Sequence, residues 1–490
     1  MKPFITLDSV TLRVGGALAF SETTWRIHEG EQWVVIGPNG AGKSALLGAF
    51  DGRTPVVKGE VWYHFACADP AESYPMDGTI PENRIAWVSQ EDQAALARSG
   101  AEYHQARWNA ADADLAPKVE ETLVRRTQAS PRDIRDAARR AGIEHRLKHP
   151  LPALSNGELR RVLIAEALLQ KPRLIILDDP FAGLDTDARI RLSALLEELI
   201  ARGIVLVVVV RRPEEIPTST THLLLVENGQ VALQGPIARL RDHRRLRSFF
   251  ASPRPRKSAR QKVSSRVGEE VFSLHQVTVR YDQTVALHHV SWKVRAGERW
   301  ALMGPNGSGK STLLSLLTGD NPQAYSNDVR IFGRRRGTGE SIWDIRARIG
   351  WLSPELQWHY PAGTPVAQII ASGLFDTIGL QRELSARQRR SVKEWLARFD
   401  LPPKAPFGTL GAGAQRMALL ARALIKSPDL ILLDEPCQGL DAEHRGAFHR
   451  ALGAALEGHP CALVYITHHA EELPPVVNRL LRLERGRVLD

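Results

Sequence analysis

An eight-residue, glycine-rich run occurs twice in this chain, as GPNGAGKS at residues 37–44 and as GPNGSGKS at residues 304–311. Each is followed at similar range by an apolar run that ends in aspartate: LIILD closing on Asp178, and LILLD closing on Asp434. Solenoid repeats span roughly 20–50 residues, so a recurrence this distant means a whole domain present in two copies. The order within each copy is the same. A β-rich start (4–27 and 272–294) leads to a buried strand and the glycine-rich loop. A mostly helical stretch follows (92–172 and 356–428), then the aspartate-ended run, then a second apolar run (204–210 and 462–466). Apolar runs of strand length without polar alternation predict strands buried on both faces of a parallel sheet. The expected fold is α/β: two domains, each a parallel-sheet core with a β-rich N-terminal part and a helical insertion.

Both loops stand between an apolar strand (33–36 and 300–303) and a helical run, ALLGAF or TLLSLL. That context is what gives the motif its chemistry. Gly37, Pro38, Asn39, Gly40, Ala41 and Gly42, like Gly304, Pro305, Asn306, Gly307, Ser308 and Gly309, make loops whose backbone N–H groups can converge on phosphate oxygens. The start of a helix adds partial positive charge. Lys43 and Lys310 are placed to neutralise the β- and γ-phosphates. Ser44 and Ser311, the latter followed by Thr312, are placed to put hydroxyls on Mg²⁺ and phosphate. ATP and Mg²⁺ are therefore the expected ligand and metal.

Composition narrows the setting. The chain is 43% hydrophobic, enough for more than one core, yet no apolar run reaches the 20 or so residues that span a bilayer. The N-terminus lacks the apolar stretch of a secretory signal. Three cysteines, Cys67, Cys437 and Cys461, match no metal spacing and make no disulfide framework, which fits a reducing cytoplasm. The net charge of +10 permits an anionic partner, but the arginines are not interleaved with aromatics as a base-stacking surface requires. Much of the charge falls in a Pro- and Ser-containing stretch between the copies, which includes Arg244, Arg254, Arg256 and Lys257 and reads as a solvated tether.

The first helical stretch ends in LSNGE at residues 154–158, ahead of Asp178. This resembles the LSGGQ signature of ABC ATPases. GLD at residues 183–185 and 439–441 looks like that family's D-loop, and Thr467 with His468 looks like its switch histidine. Residues 319–345 further resemble the ModF-type tandem ATPases, which are associated with molybdate transport operons. The resemblance covers nearly the whole chain. It implies two P-loop NTPase domains with RecA-like cores, at residues 1–240 and 269–490, joined by a basic linker at 241–268.

In that family two cassettes stack head to tail, and each ATP lies between the phosphate loop of one and the signature of the other. The resemblance then implies unequal sites. At the second loop, Tyr281 sits where the family stacks an aromatic on adenine. Lys310 and Ser311 hold phosphate and Mg²⁺, Asp434 binds Mg²⁺ through water, Glu435 polarises the attacking water, and His468 contacts the γ-phosphate. Ser155, Gly157 and Glu158 of the first signature close over it. At the first loop the adenine position reads Val14, and Asp178 is followed by Asp179, one methylene shorter than glutamate. The switch position reads Arg211, and the opposing signature, LGAGAQ at 410–415, has Gly411 in place of serine. Gln90 fits the family's Q-loop as a Mg²⁺ ligand, but its counterpart is Pro354, with Glu355 and Gln357 nearby as substitutes. One hydrolytic and one mainly binding site are expected.

The function implied is the ATP-hydrolysing subunit of an ABC transporter, working with separate transmembrane permease subunits. Such a protein sits in the cytoplasm against the inner face of the membrane, one tandem chain per transporter. The competing expectation is a tandem ABC ATPase acting on ribosomes or nucleic acid. Against it stand the short tether, where ribosomal factors carry a long charged helical linker, and the absence of zinc modules or coiled coils within the cassettes.

Overall fold

The computed structural model describes residues 2–14, 16–66, 84–99, 116–151, 154, 156–184, 186–250, 268–281, 284–380 and 382–489. The chain divides into two compact units, Met1–Ser252 and Pro253–Asp490.

In the first unit β1 (Pro3–Val14), β2 (Ala17–His28) and β4 (Val56–Tyr63) form an antiparallel sheet in the order β2-β1-β4. A second sheet is built from β3 (Trp33–Ile36), β5 (Ile85–Val88), β6 (Leu174–Asp178), β7 (Val205–Val209), β8 (His222–Glu227) and β9 (Gln230–Pro236). Its order is β5-β6-β7-β3-β8-β9, parallel throughout except for the terminal β8–β9 hairpin.

The apolar runs explain why this sheet lies in the middle. Along β6, Ile175 and Leu177 join the core under the helical insertion, while Leu174 and Ile176 join the core under the antiparallel sheet. Leu206 and Val208 of β7 face the first core, and Val205, Val207 and Val209 the second. Alternate side chains leave a strand on opposite faces, so a strand covered on both sides must be apolar at every position. Each fully buried Val, Leu or Ile contributes about 1.5–3 kcal/mol relative to exposure.

The insertion consists chiefly of helices Val119–Thr127, Pro131–Arg140 and Asn156–Leu169. Ser130 caps the second, its hydroxyl accepting from the Asp133 N–H, and Pro131 takes the first helical position, where its missing N–H costs nothing.

The second unit repeats this plan. β10 (Glu270–Tyr281), β11 (Thr284–Arg295), β13 (Asp328–Ile331) and β14 (Arg334–Arg335) make the antiparallel sheet, in the order β11-β10-β13-β14. β12 (Arg299–Met303), β15 (Ile349–Leu352), β16 (Leu430–Asp434), β17 (Ala462–Ile466), β18 (Arg479–Glu484) and β19 (Arg487–Leu489) make the central one, in the order β15-β16-β17-β12-β18-β19. Position by position this is the order of the first unit. The insertion here includes helices Val366–Ser372, Ala386–Arg398 and Ala412–Leu424.

Two local features depart from the sequence expectation. Helix Arg244–Phe250 falls within the stretch read as linker, yet its Leu246 is buried and Phe249 and Phe250 pack on the first unit's core. Apolar contacts carry the folded chain past residue 240 despite the flanking arginines. The helix after the first glycine-rich loop spans only Lys43–Leu47, whereas its counterpart runs Lys310–Thr318. Gly48 ends the first one early; a Cβ there would lie 2.5 Å from Thr54 Oγ1.

Candidate functional site

Sheet order decides what meets at the phosphate loops. The first loop follows β3 and the second follows β12, and in each unit the neighbouring strand is β7 or β17, flanked in turn by β6 or β16. Ligands of open parallel sheets bind outside the carboxyl ends of the strands. Register brings Asp178 opposite Val209, two residues short of Arg211, and Asp434 opposite Ile466, two residues short of His468. The strand ends thus assemble loop, carboxylates and switch residue at one edge in each unit.

The loops need glycine at their mouths. A Cβ on Gly37 would lie 2.1 Å from the Val226 carbonyl oxygen, and one on Gly304 would lie 2.1 Å from that of Leu483. Lys43 Nζ donates to the carbonyls of Gly37 at 2.8 Å and Pro38 at 2.7 Å. Lys310 Nζ donates likewise to Gly304 at 2.7 Å and Pro305 at 2.8 Å. Each ammonium is therefore held within the curve of its loop.

Ser44 Oγ donates to Asp178 Oδ2 at 2.5 Å. Burial pushes the Asp178 carboxyl up, the Ser44 hydrogen bond opposes this, and the charge of Asp179 adds to it. A hydroxyl and a carboxylate converging beside the loop suit Mg²⁺, which takes one or two protein oxygens and completes its shell with water and phosphate. Among the described residues no group of three or more His, Cys, Asp or Glu is placed to hold a metal ion. In the second unit Ser311 and Asp434 stand at the equivalent places, at the helix start and the end of β16.

The residues after these aspartates differ in a way that matters. Asp179 and Glu435 both adopt positive φ, 54° and 41°. Non-glycine residues pay for that conformation and keep it where the surroundings impose it. In the second unit His468 Nδ1 lies 2.8 Å from Glu435 Oε1, with the imidazole 6% and the carboxylate 14% exposed. In the first, Arg211 Nε donates to Asp179 Oδ2 at 2.7 Å, and Arg211 Nη1 donates to Asn39 Oδ1 of the loop at 2.8 Å. An imidazole in the second unit is thus replaced by a guanidinium in the first.

Other sequence-derived candidates fall variously. Tyr281 ends β10, half-buried, its hydroxyl accepting from Asn321 Nδ2 at 2.8 Å and also bonded to Thr312. Val14 ends β1 and packs on the core beneath. Gly157 lies in the first turn of helix Asn156–Leu169. Glu158 is turned instead into the insertion: it is 8% exposed, and its carboxylate accepts from Arg146 Nε at 2.6 Å. Ser155 and the side chains of Gln90 and Glu355 lie outside the described residues; the Gln90 backbone starts helix Gln90–Ser99. Pro354 starts helix Pro354–His359, a position that suits proline. Gln357, the remaining substitute for a Q-loop glutamine, donates from Nε2 to Gln415 Oε1 at 2.5 Å, within the insertion.

Sequence reading missed two groups. Arg160, 4% exposed, donates to the carbonyls of Pro180 and Ala182 at 2.8 and 2.9 Å and to Gln93 Oε1 at 2.7 Å. It ties the signature helix to the chain after Asp179; only its presence in an otherwise core-facing helix hinted at this, since a buried guanidinium must be fully bonded. His444 lies against the second signature. A Cβ on Gly413 would come 2.0 Å from its Cδ2, and its Nδ1 is 2.7 Å from Asp441 Oδ1.

The comparisons with known proteins agree with this architecture. The family described as ABC transporter matches residues 20–182 and 287–438. The ABC transporter ATP-binding protein ModF of Escherichia coli is 36% identical over 474 residues, 93% of this chain and 91% of its own. An uncharacterized ABC transporter ATP-binding protein of Schizosaccharomyces pombe is 29% identical over 100% of this chain and 99% of its own.

Proposed function

Because the chain belongs to the ABC transporter family of ATP-binding proteins and carries two of its ATPase cassettes, we propose that it is the ATP-hydrolysing subunit of an ABC transporter with one hydrolytic and one ATP-holding site. The observation that carries this reading is the contrast at the switch position: His468 on Glu435 at 2.8 Å, against Arg211 on Asp179 at 2.7 Å.

At the second loop, Lys310 neutralises phosphate charge, and Ser311 and Asp434 serve Mg²⁺, which supplies charge stabilisation on the phosphate oxygens. Glu435 takes the proton of the attacking water. His468 fixes one oxygen of that carboxylate and so orients the other, as a general base requires. At the first loop, Lys43, Ser44 and Asp178 provide the same binding groups. Asp179 is shorter, and a cation engages it. The signatures differ as well: the first carries a serine and a glycine, Ser155 and Gly157, whereas Gly411 of the second offers no hydroxyl. The cycle drives separate transmembrane subunits from the inner face of the membrane; no helix among the described residues is long and apolar enough to cross it. The resemblance of residues 319–345 to the ModF-type ATPases is what suggests molybdate as the solute.

Glu435→Gln should lower ATP turnover by about 10²-fold or more while leaving nucleotide bound. Asp179→Asn should cost less. Steady-state phosphate release from the two variants decides the matter, and the reverse order would refute the assignment. Affinity purification from membranes should recover a hydrophobic subunit. Salt-sensitive recovery of ribosomes or RNA in its place would favour the nucleic-acid alternative.

A further inference from the structure

The core beneath the helical insertion differs between the two units. Three residues past the strand-ending aspartate stand Phe181 in the first and Cys437 in the second. Val208 lies opposite Leu177 in the first sheet, and Tyr465 opposite Leu433 in the second. Ser193 and His449 stand equally far beyond Asp185 and Asp441. Cys437 and Tyr465 are 1% and 0% exposed. The Tyr465 hydroxyl donates to Cys437 Sγ at 3.3 Å, and His449 Nε2 lies 3.5 Å from that hydroxyl and 3.6 Å from the sulfur. Burial pushes the Cys437 thiol up to about 12, so the sulfur stays uncharged. Buried polar groups cost stability relative to apolar ones, and the first unit closes the same strand order with Phe181 and Val208. The fold therefore does not require the cluster.

Its members connect the two segments that carry Glu435 and His468. Cys437 lies in the turn that begins at Glu435, whose carbonyl accepts from the Gln438 N–H at 3.0 Å. The Glu435 N–H donates to the Ile466 carbonyl at 2.9 Å, next to Tyr465 on β17. Two residues beyond Ile466, His468 reaches back to the Glu435 carboxylate. The His449 ring also hydrogen-bonds to the backbone of Glu472, and the buried Glu472 carboxylate accepts from Thr467 Oγ1 at 3.2 Å, beside His468. We propose that Cys437, Tyr465 and His449 are positioning residues for hydrolysis: they lock the turn after Glu435 to the strand and turn that carry His468, and so keep the carboxylate and the imidazole in register. This rests on the reading of the second site as the hydrolytic one and adds what holds its base in place. The three residues act through Glu435 and His468, and no covalent step is involved. A catalytic group displaced by about an ångström loses on the order of 10²-fold in rate, so a smaller loosening already shows in turnover.

The test is ATP turnover by the full chain in Tyr465→Phe, which removes only the hydroxyl, and in Cys437→Ala and Cys437→Ser. Tyr465→Phe and Cys437→Ala should each lower kcat by about tenfold, with KM for ATP within about twofold of the parent. Cys437→Ser, which keeps a hydrogen-bonding group, should recover most of the loss. In Glu435→Gln, where the group to be positioned is gone, adding Tyr465→Phe should lower the residual turnover no further. Additive losses there would mean that the cluster only packs the core. So would a Cys437→Ser no better than Cys437→Ala, or a fall in kcat that follows a fall in denaturant midpoint and an equal loss of ATP affinity. If Glu435→Gln itself retains parental turnover, the reading of the second site falls and the proposal with it. An inactive Glu435→Gln beside unaffected Tyr465→Phe and Cys437→Ala sinks the proposal alone.

Discussion

His449 shows how a residue outside the phosphate loop can set the pH dependence of the second unit's stability. It lies beside Tyr465 and Cys437, with Nε2 3.5 Å from the Tyr465 hydroxyl and 3.6 Å from Cys437 Sγ. Burial, helped by the charge of Arg445, pushes its pKa from 6.5 down to about 4. The folded protein therefore excludes a proton that the unfolded chain accepts near pH 6.5. Above that pH neither state binds it and nothing is lost. Between pH 6.5 and about 4 the unfolded state holds more protons, so stability falls as the pH is lowered. The shift is worth up to about 3 kcal/mol. Chemical denaturation of His449→Gln across that window should give a shallower pH slope than the parent; an unchanged slope would clear His449 of the effect. Single residues were unevenly legible in the sequence. The loop lysines and serines were readable because a motif of fixed spacing carries them. The switch position of Arg211 was readable too, but not its grip on Asp179 and Asn39, which depends on register between strands distant in the chain. The positive φ at Asp179 and Glu435, and the Gln357–Gln415 bond, leave no trace in composition or periodicity.

Elements were more legible than contacts. Uninterrupted apolar runs announced β6, β7, β16 and β17, since only doubly covered strands tolerate apolar residues on both faces. The tilt of one helix against another was not announced, and the second signature shows what hangs on it. Helix Ala412–Leu424 brings Gly413 against the imidazole of His444, which lies in the first turn of helix Ala442–Leu456. Asp441 caps that helix by accepting from the His444 N–H at 2.8 Å and holds the ring as well. Gly413→Ala places a methyl 2.0 Å from His444 Cδ2, so the ring must leave Asp441 or the helices must part. Overpacking of this kind costs about 1–3 kcal/mol. Adding His444→Ala should restore most of the loss, and a double-mutant cycle read by denaturant unfolding measures the coupling. Purely additive effects would mean that the two helices do not meet through this pair.

At the scale of the whole chain, two units share one strand order while the groups at their phosphate edges have diverged. Apolar patterning, which carries the fold, is kept in both copies: alternate residues of β7 and β17 feed the two cores that flank each sheet. The differences gather where chemistry is done, at Val14, Asp179, Arg211 and Gly411 against Tyr281, Glu435, His468 and the serine of the first signature. The two loop lysines, held in the same way by their carbonyls, provide an even-handed probe, because replacing either removes the same interaction from the same geometry. Lys310→Ala should then abolish most ATP turnover, since it strips the site that contains Glu435. Lys43→Ala should slow turnover less, acting only through loss of the ATP that the first site keeps. Phosphate release at saturating ATP, measured on both variants beside the parent, separates the cases: equal losses would mean two equivalent sites and would remove the division of labour between the units.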